Sequence, residues 1–525
     1  MAISIFRRKS VAQIQAEHES SELKRSLGAI NLILLGIGCI IGTGIFVLTG
    51  RAAAQFAGPG IMISFIITGT LCAFVALCYA ELASALPVSG SAYSYTYASM
   101  GEGPAWVMGL LLVLEYGLAA STVSVGWSGY FVSLMHDIGL AIPPELTAAP
   151  GVAVKNASGV VIATGVANVP AIAVIGLVTL LLIRGVTESA AVNNIIVAIK
   201  VAVVVLFIVI GSRYVHPAQW SPLVPAQVPA VAAGVPNDIW HQIGRALVAV
   251  VTGDNSTKYG IGGVIHAAAV IFFAYLGFEA VSTAGAEARN PGKDMPIGIL
   301  GALLVCTILY ILTCAVLVGI VPYQQLDVPA PIALAADMMH LPWFAFVVKI
   351  GAIAGLSSVM LVLLYGQTRI FYTMSRDGLL PTALATVHKT FQTPWINTII
   401  VGIAAMCAAG FLSLDALSDL SNVGSLAAFA LVCITVIYLR TTEPNLARPF
   451  RTPLYPVVPI LGAAMCAVLL MSLMATPATR HFFLGYLILG VIVYFAYGMR
   501  SSKLGKGVVV GGHEAAPMEL PHKGD

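Results

Sequence analysis

Three ionisable side chains lie in the middle of apolar stretches, where a charge is costly to bury. Lys200 lies in the segment AVNNIIVAIKVAVVVLF, about ten residues from the start of its stretch. A helix rises 1.5 Å per residue, so this depth is about 15 Å, near the midplane of a bilayer. Glu115 lies in VLEYG, and Glu279 ends FFAYLGFE. Ionisable residues at membrane depth are rare and typical of proton relays and substrate sites.

Each of these side chains has a functional and a structural interpretation. Lys200 can carry a proton, as an ammonium when it faces water and as an amine when it is sealed, and its depth argues against snorkelling to the cytoplasmic interface. Glu115 and Glu279 suit a proton relay or the recognition of a cationic group, but each can also hydrogen-bond a helix end. Lys349 lies near the outer start of its stretch, where snorkelling explains it.

Glycines interrupt one of the apolar stretches. Residues 36–46 read GIGCIIGTGIF, and each glycine costs a helix ~1 kcal/mol relative to alanine. Broken backbone inside a membrane is tolerated only where it faces protein or a water-filled cavity. The pattern predicts an interruption at residues 42–44 whose N–H groups bind an anion and whose C=O groups bind an ammonium. An amino acid carries both charges; tight packing of small residues is the alternative.

A second irregular segment, FFAYLGFE at residues 272–279, contains a glycine and a buried acid. Irregular segments at corresponding positions of two halves indicate a transporter's binding site. Phe273 suits a movable gate over a substrate, although a lone phenylalanine more often packs in a core. Ser357 and Ser358, in AGLSSV, are small polar residues that suit a cation site, a bond to Lys200 or interhelical packing.

The overall composition is that of a helical membrane protein. The chain has 525 residues, of which 58% are hydrophobic and only 9% are charged, and each membrane span needs roughly 20 apolar residues. The third and eighth candidate spans are longer than the others, which favours tilt. The eight cysteines all fall within spans, so no disulfide framework is expected. Twelve candidate spans are centred near residues 40, 70, 120, 173, 201, 275, 309, 358, 404, 430, 464 and 490.

The distribution of positive charge predicts the topology. With both termini in the cytoplasm, 18 of the 26 Lys and Arg residues fall inside, as the positive-inside rule requires. We expect a cytoplasmic leader at residues 1–26, a transmembrane domain at 27–500 and a cytoplasmic tail at 501–525. Loops at 136–167 and 212–262 are expected outside, the second with an amphipathic helix at 237–251.

Other chemistries have little support in the sequence. No His, Cys or carboxylate cluster has metal-ligand spacing and no Walker motif is present, so we expect no metal and no cofactor. The energy for transport would come from a gradient, from exchange or from a separate ATPase subunit. Of the ten histidines only His266 lies close to a span, which disfavours a membrane-embedded enzyme. Residues 86–97 are too polar to span and are expected as an interfacial or re-entrant element.

Several long motifs together identify a family. The chain resembles the amino acid–polyamine–organocation (APC) superfamily over about residues 25–500, and within it the cationic amino acid transporter family in its shorter, bacterial 12-span type. The motifs that carry the resemblance are GIGCIIGTGIF at 36–46, YAEL at 79–82, PVSGSAY at 87–93, VGWSGY at 125–130, FFAYLGFE at 272–279, EARNPGKDMPIG at 287–298 and RIFYTMSRDGLLP at 369–381.

The resemblance implies an all-α membrane protein with 12 transmembrane helices, in which a 5+5 inverted repeat (LeuT-like) is followed by two C-terminal helices. The first and sixth helices would be broken around the substrate. In the family, Lys200 matches a lysine that replaces the sodium ion of related carriers, and Ser357 and Ser358 match residues that would ligate that ion. The implied substrate site contains Gly42, the amides of Thr43 and Gly44, and carbonyls near Ile40, Ile41, Phe273, Ala274 and Leu276.

We therefore expect a secondary active transporter of L-amino acids in the cell membrane. Transport is expected to be proton-coupled symport that does not depend on sodium. No nucleic acid partner is expected. An amino acid or polyamine exchanger remains open, and a sensor that does not translocate is less favoured because such proteins usually add a large soluble domain. The sequence does not decide between cationic and neutral substrates, because backbone groups recognise only what all amino acids share. An accessory subunit also remains open.

Overall fold

The computed structural model describes residues 5–507 apart from 10–26, 89, 156–159, 186–189, 230–239, 243, 246–247 and 249–257. Most of the described chain is helical, an arrangement that satisfies backbone hydrogen bonds within a lipid bilayer. One small exception is a two-stranded antiparallel sheet of β1 (Ala153–Lys155) and β2 (Val161–Thr164), with Ala153 opposite Thr164. It lies in the predicted outer loop at 136–167, where no strand was predicted.

In the first half of the chain, the described residues form seven α-helices. They are α1 (Ala29–Ile40), α2 (Thr49–Ala52), α3 (Ile61–Ala85), α4 (Ser91–Ser99), α5 (Glu102–Asp137), α6 (Val169–Ile183) and α7 (Ala190–Gly211). Single π-helical turns at Gly44–Leu48 and Ala53–Ala57 flank α2, and 3₁₀ turns lie at Gly58–Gly60, Pro144–Leu146, Ser212–Tyr214 and Pro217–Trp220.

In the second half, nine α-helices lie within the described residues. They are α8 (Gly260–Ile271), α9 (Pro291–Ile320), α10 (Pro331–Met338), α11 (Pro342–Arg376), α12 (Trp395–Phe411), α13 (Leu414–Thr442), α14 (Val457–Met474), α15 (Pro477–Val493) and α16 (Met499–Ser501). Short 3₁₀ segments lie at Phe272–Tyr275, Glu279–Glu287, Tyr323–Gln325, Thr382–Ala385 and Leu504–Lys506, and a π-helical turn lies at Tyr494–Gly498.

Nine helical segments of the described chain are long and apolar enough to cross a membrane, and three shorter apolar helices, α1, α6 and α12, accompany them. Each of the twelve predicted span centres lies in a described helical segment. The predicted third and eighth spans correspond to α5 and α11, which at 36 and 35 residues exceed the length of a perpendicular span. The molecule is therefore a multi-pass membrane protein.

Two other predicted elements have different outcomes. The polar segment predicted at 86–97 forms the nine-residue α4, which is too short to span and buries most of its side chains in protein. The amphipathic helix predicted at 237–251 falls mostly on residues outside the described part of the chain.

Candidate functional site

The first predicted helix break is present in the structure. Helix α1 ends at Ile40, and Ile41 adopts an extended conformation (φ −72°, ψ 97°) before helical backbone resumes near Gly44. The predicted interruption at residues 42–44 therefore begins one residue earlier. Such an end leaves carbonyl oxygens of the last turn without partners in the helix, and these oxygens need other donors when they are buried.

Lys200 supplies two of those donors. Its Nζ donates to the carbonyl oxygen of Gly38 and, at 3.3 Å, to that of Ile41. The tyrosine hydroxyl of Tyr310 on α9 donates to the carbonyl oxygen of Ile40 at 2.8 Å. Side chains from α7 and α9 therefore complete the broken end of α1. A positive charge at the C-terminal end of a helix also complements the negative end of its dipole.

Helix α7 positions Lys200 at depth. Lys200 is the eleventh of the 22 residues in α7 and is completely buried. Its aliphatic stem packs against Gly355 on α11, where an added methyl group would lie 3.4 Å from both Cβ and Cδ of the lysine. The sequence-based expectation of a lysine far from either end of its helix, rather than a snorkelling one, agrees with this placement.

The second break follows α8. A 3₁₀ turn at Phe272–Tyr275 leads to Leu276 in an extended conformation (φ −57°, ψ 135°) and to Gly277 with φ +115°, a region that favours glycine. The Glu279 carboxylate closes this turn: its Oε2 accepts from the Gly277 N–H at 2.8 Å, and its Oε1 accepts from the Tyr116 hydroxyl at 3.4 Å. Glu279 thus makes the structural helix-end bond considered as the alternative to a relay.

The two breaks face each other through glycines. A methyl group at Gly44 would lie 2.1 Å from Cα of Ala274, and one at Gly277 would lie 2.7 Å from the carbonyl carbon of Cys39. Each break therefore contacts the other at a position where no side chain fits. The two predicted substrate segments therefore adjoin each other at Gly44 and Ala274, and Phe273 beside this contact is buried.

Neighbouring helices contact the first break. The Thr43 hydroxyl donates to the Val123 carbonyl oxygen of α5 at 3.5 Å. A methyl group added at Gly42 would lie 3.5 Å from the side chain of Val359 on α11. Glu115 of α5 is also buried, and Glu279 accepts a hydrogen bond from Tyr116, the next residue along α5. The structure therefore joins the second break to α5 at the residue beside Glu115.

The serines of the predicted cation site have partners within the protein. Ser357 Oγ accepts from the Trp127 indole at 3.0 Å and donates to the Ile353 carbonyl oxygen at 2.8 Å. Ser358 donates to the carbonyl oxygen of Gly355, the glycine that packs against the aliphatic stem of Lys200.

Comparison with known proteins decides the family. A family model described as amino acid permease matches residues 27–496, most of the chain. The chain belongs to this amino acid permease family. The APC classification made from the motifs is confirmed, and so is the expectation of a transporter rather than an enzyme, because the relatives are transporters and permeases.

Individual relatives of the permease carry different substrate names. This chain is 44% identical to the methylthioribose transporter of Bacillus subtilis (strain 168), over 96% of its own length and 100% of that protein. It is also 44% identical to the branched-chain amino acid permease BcaP of the same organism, over 95% and 99%. Cationic amino acid transporter 9, chloroplastic, of Arabidopsis thaliana is 38% identical over 80% of this chain and 67% of that protein.

Sequence reasoning missed two clusters of ion pairs in the permease. Arg51, beyond the first break, bonds Asp327 at 3.1 Å and Asp415 at 2.9 Å. Far from it, Lys9 bonds Asp377 at 2.7 Å, and the Tyr93 hydroxyl donates to the same carboxylate at 2.8 Å. The partners are hundreds of residues apart in sequence, so only the fold identifies them.

The lysine that sequence analysis set aside also has a defined partner. Lys349 bonds Asp137 at 2.6 Å, at the end of α5, so it is an ion-pair residue near one end of its helix. Tyr310 and Trp127 were missed as well. Each is a residue with a hydrogen-bond donor inside an apolar helix, and that signal would have identified both as candidates.

Proposed function

We propose that this permease is a secondary active transporter that moves L-amino acids across the cell membrane with protons, by alternating access. In this proposal it has twelve spans, a 5+5 inverted repeat followed by two C-terminal helices, and both termini in the cytoplasm. The leader at residues 1–26, the domain at 27–500 and the tail at 501–525 are part of the same proposal. The observation that carries it is the pair of bonds from Lys200 to the broken end of α1.

The proposed substrate site uses backbone groups. The carboxylate of the amino acid binds the N–H groups of Thr43 and Gly44 beside Gly42, and its ammonium binds carbonyl oxygens of Ile40, Ile41 and the second break. A carbonyl oxygen accepts two hydrogen bonds, so the bonds from Tyr310 and Lys200 leave capacity for the substrate. The carbonyls proposed from the second break are those of Phe273, Ala274 and Leu276.

The proton is proposed to act through Lys200. A charged ammonium makes hydrogen bonds roughly twice as strong as those of a neutral amine. Protonation from outside would therefore secure the end of α1 and the site beside it. Loss of the proton to the cytoplasm would weaken both bonds, release α1 and open the site inward. Glu115 and Glu279 are proposed as the relay that takes up this proton, because both are buried and Glu279 bonds Tyr116, the residue next to Glu115.

Lys200 also bears on the choice of coupling ion. The Lys200 ammonium fills the position beside the Gly38 and Ile41 carbonyl oxygens that a sodium ion would need, so no space is left for that ion between them. Ser357 and Ser358 are proposed as a vestige of such a cation site, since their hydroxyls bond within the protein. Transport should therefore be independent of sodium.

The names of the relatives define the substrates to compare. Branched-chain and cationic amino acids share the ammonium and carboxylate that the proposed site recognises. Methylthioribose is a sugar thioether that has neither group, so it would need a different set of contacts. A screen by thermal shift with leucine, isoleucine, valine, lysine, arginine and methylthioribose ranks these classes, because a ligand at 100 times its dissociation constant adds ~2.7 kcal/mol of stability.

Transport itself is tested in proteoliposomes with the preferred amino acid. With no internal substrate, an inward pH gradient should drive accumulation, and a protonophore should abolish it, with sodium or potassium outside giving equal rates. A strict need for internal substrate would instead indicate an amino acid or polyamine exchanger. Binding with no flux in either assay would indicate a sensor and would contradict transport.

A further inference from the structure

A long groove lies on the surface of the molecule beside α9, away from the two breaks. It has a volume of about 580 Å³ and is lined by α9 residues and by Pro449 and Phe450 of the loop between α13 and α14. Its α9 lining is Gly292, Lys293, Pro296, Ile297, Leu300, Gly301 and Leu304. We refer to it as the α9 groove.

The dimensions of the α9 groove match a lipid tail. From Lys293 to Leu304 the helix rises about 16 Å, which is about half the ~30 Å hydrocarbon core and therefore one leaflet. Apart from Lys293 its side chains are apolar, and Ile297 and Leu304 are 41% and 62% exposed. Beyond the groove, Ile308 and Leu312 of the same helix are also exposed, so the apolar surface of α9 extends past the groove.

One end of the groove is basic. Lys293 lies in the first turn of α9, and Arg451 directly follows the lining residue Phe450. Within the described part of the chain, neither side chain has a carboxylate within salt-bridge distance, whereas Arg440 bonds Glu81 at 2.6 Å. The nearest acid in sequence, Asp294, accepts the Asn290 N–H at 3.0 Å. The structure therefore combines an apolar slot with cations that have no acidic partner among the described residues.

The wall of the groove is held closely against the helix. A methyl group at Gly292 would lie 2.7 Å from Cβ of Pro449, so the loop approaches α9 where there is no side chain. The same helix packs on α1: a methyl group at Gly36 would lie 2.5 Å from Cβ of Ala302. A molecule seated in the groove would thus join the α13–α14 loop to the helix that supports α1.

We propose that the α9 groove binds one anionic phospholipid, with its phosphate at Lys293 and Arg451 and one acyl chain along Ile297, Leu300 and Leu304. Basic pockets beside membrane helices on the cytoplasmic side recognise such headgroups. In the proposed topology this end of α9 is cytoplasmic. The lipid would stabilise the packing of α9 against the loop, and binding does not depend on which solute is transported.

Native mass spectrometry of the full chain, delipidated and titrated with phosphatidylglycerol or phosphatidylcholine, tests the proposal. The wild type should bind one phosphatidylglycerol at least severalfold more tightly than phosphatidylcholine. Lys293→Gln should weaken that binding about fivefold, the effect of one lysine near a charged surface. Lys293→Arg should restore it, and Lys389→Gln, which removes an exposed loop charge, should not change it.

A second variant separates the slot from the charge. Ile297→Trp keeps Lys293 but fills the groove, and it should also lose the tightly bound lipid while keeping its oligomeric state and melting temperature without lipid. Equal binding of both lipids, or unchanged binding in Lys293→Gln and Ile297→Trp, would overturn the proposal. Displacement of the lipid by millimolar inorganic phosphate would also overturn it, because the site would then recognise phosphate alone. If the wild type binds the lipid but shows no transport, the transport proposal fails and the lipid proposal stands.

Discussion

The bonding of Lys200 explains why a charge is tolerated at the centre of this membrane protein. A charge-assisted hydrogen bond contributes about 1.5–3 kcal/mol, and Lys200 makes two such bonds to backbone carbonyls that the break of α1 leaves without helical partners. The lysine and the break therefore compensate each other. Removing either would leave buried polar groups without partners.

Tyr310 also donates a hydrogen bond to the broken end of α1 but carries no charge. A variant of Tyr310 therefore shows the structural effect of losing such a bond without the effect of losing a proton carrier. Tyr310→Phe removes the bond to the Ile40 carbonyl oxygen and should cost about 1 kcal/mol of stability. If that carbonyl also binds the substrate ammonium, the loosened break should raise KM severalfold with the pH dependence unchanged. Uptake kinetics at several pH values and a melting curve measure both.

Tyr486→Phe is the matched control for this prediction. It removes a tyrosine bond of 2.9 Å to the Leu110 carbonyl oxygen, outside the two breaks. It should lose a similar amount of stability without a change in KM. Equal KM values for the two variants would contradict a role of the Ile40 carbonyl in binding.

For single residues, the sequence predicted which side chains are buried and polar, but not which groups they bond. The depth of Lys200 follows from counting along an apolar helix, and a charge at that depth requires donors or acceptors nearby. Its partners Gly38 and Ile41 lie about 160 residues away, so their identity depends on packing. Glu279 is different: its bond to the N–H of Gly277 is local, and an acid two residues after a glycine was a visible signal.

Among the elements, the two broken helices define the centre of the molecule. The glycine spacing predicted the first break to within a residue, and the glycine and acid in residues 272–279 predicted the second. The contact between them was not predictable, because periodicity describes one helix at a time. The two-stranded sheet of β1 and β2 was missed because the loop is rich in small residues without strand alternation.

Gly44→Val tests the contact between the breaks. The new side chain would collide with the backbone of Ala274, since even a methyl group would lie 2.1 Å from its Cα. The breaks should separate, and substrate binding measured by thermal shift or isothermal titration should fall below detection.

Gly485→Val is the control for this substitution, because a methyl group at that α15 glycine meets nothing within 4 Å. It makes the same change of residue type within a helix and should leave affinity unchanged. Normal affinity in Gly44→Val would show that the substrate binds elsewhere.

At the scale of the whole molecule, two clusters of ion pairs each join segments that are far apart in the sequence. Arg51 joins the segment after the first break to Asp327 and Asp415. Lys9 joins the N-terminal segment to Asp377 after α11, and the carbonyl oxygen of Arg7 accepts the first N–H of α5 at 2.8 Å. The 36-residue length of α5 separates the Lys9 cluster from Asp137 at its other end. In the proposed alternating access, these two clusters would open in turn.

Breaking one cluster at a time should open one side only. Asp377→Asn removes the charge that holds Lys9 and should speed amide hydrogen exchange severalfold in residues 5–9 and α1, with little change near Arg51. Arg51→Gln should do the reverse, speeding exchange in the segment Thr49–Ala57. Hydrogen-exchange mass spectrometry measures both, and equal changes at both ends in either variant would contradict independent closures.

The central claim is that Lys200 couples protons to transport, and one measurement tests it most directly. Lys200→Ala and the wild type are reconstituted, and accumulation driven by a pH gradient is compared with substrate counterflow at equal pH. We predict that the variant, still monodisperse, loses proton-driven accumulation and keeps counterflow, while the surface control Lys389→Ala behaves as wild type. Full proton-driven accumulation by Lys200→Ala would contradict the claim.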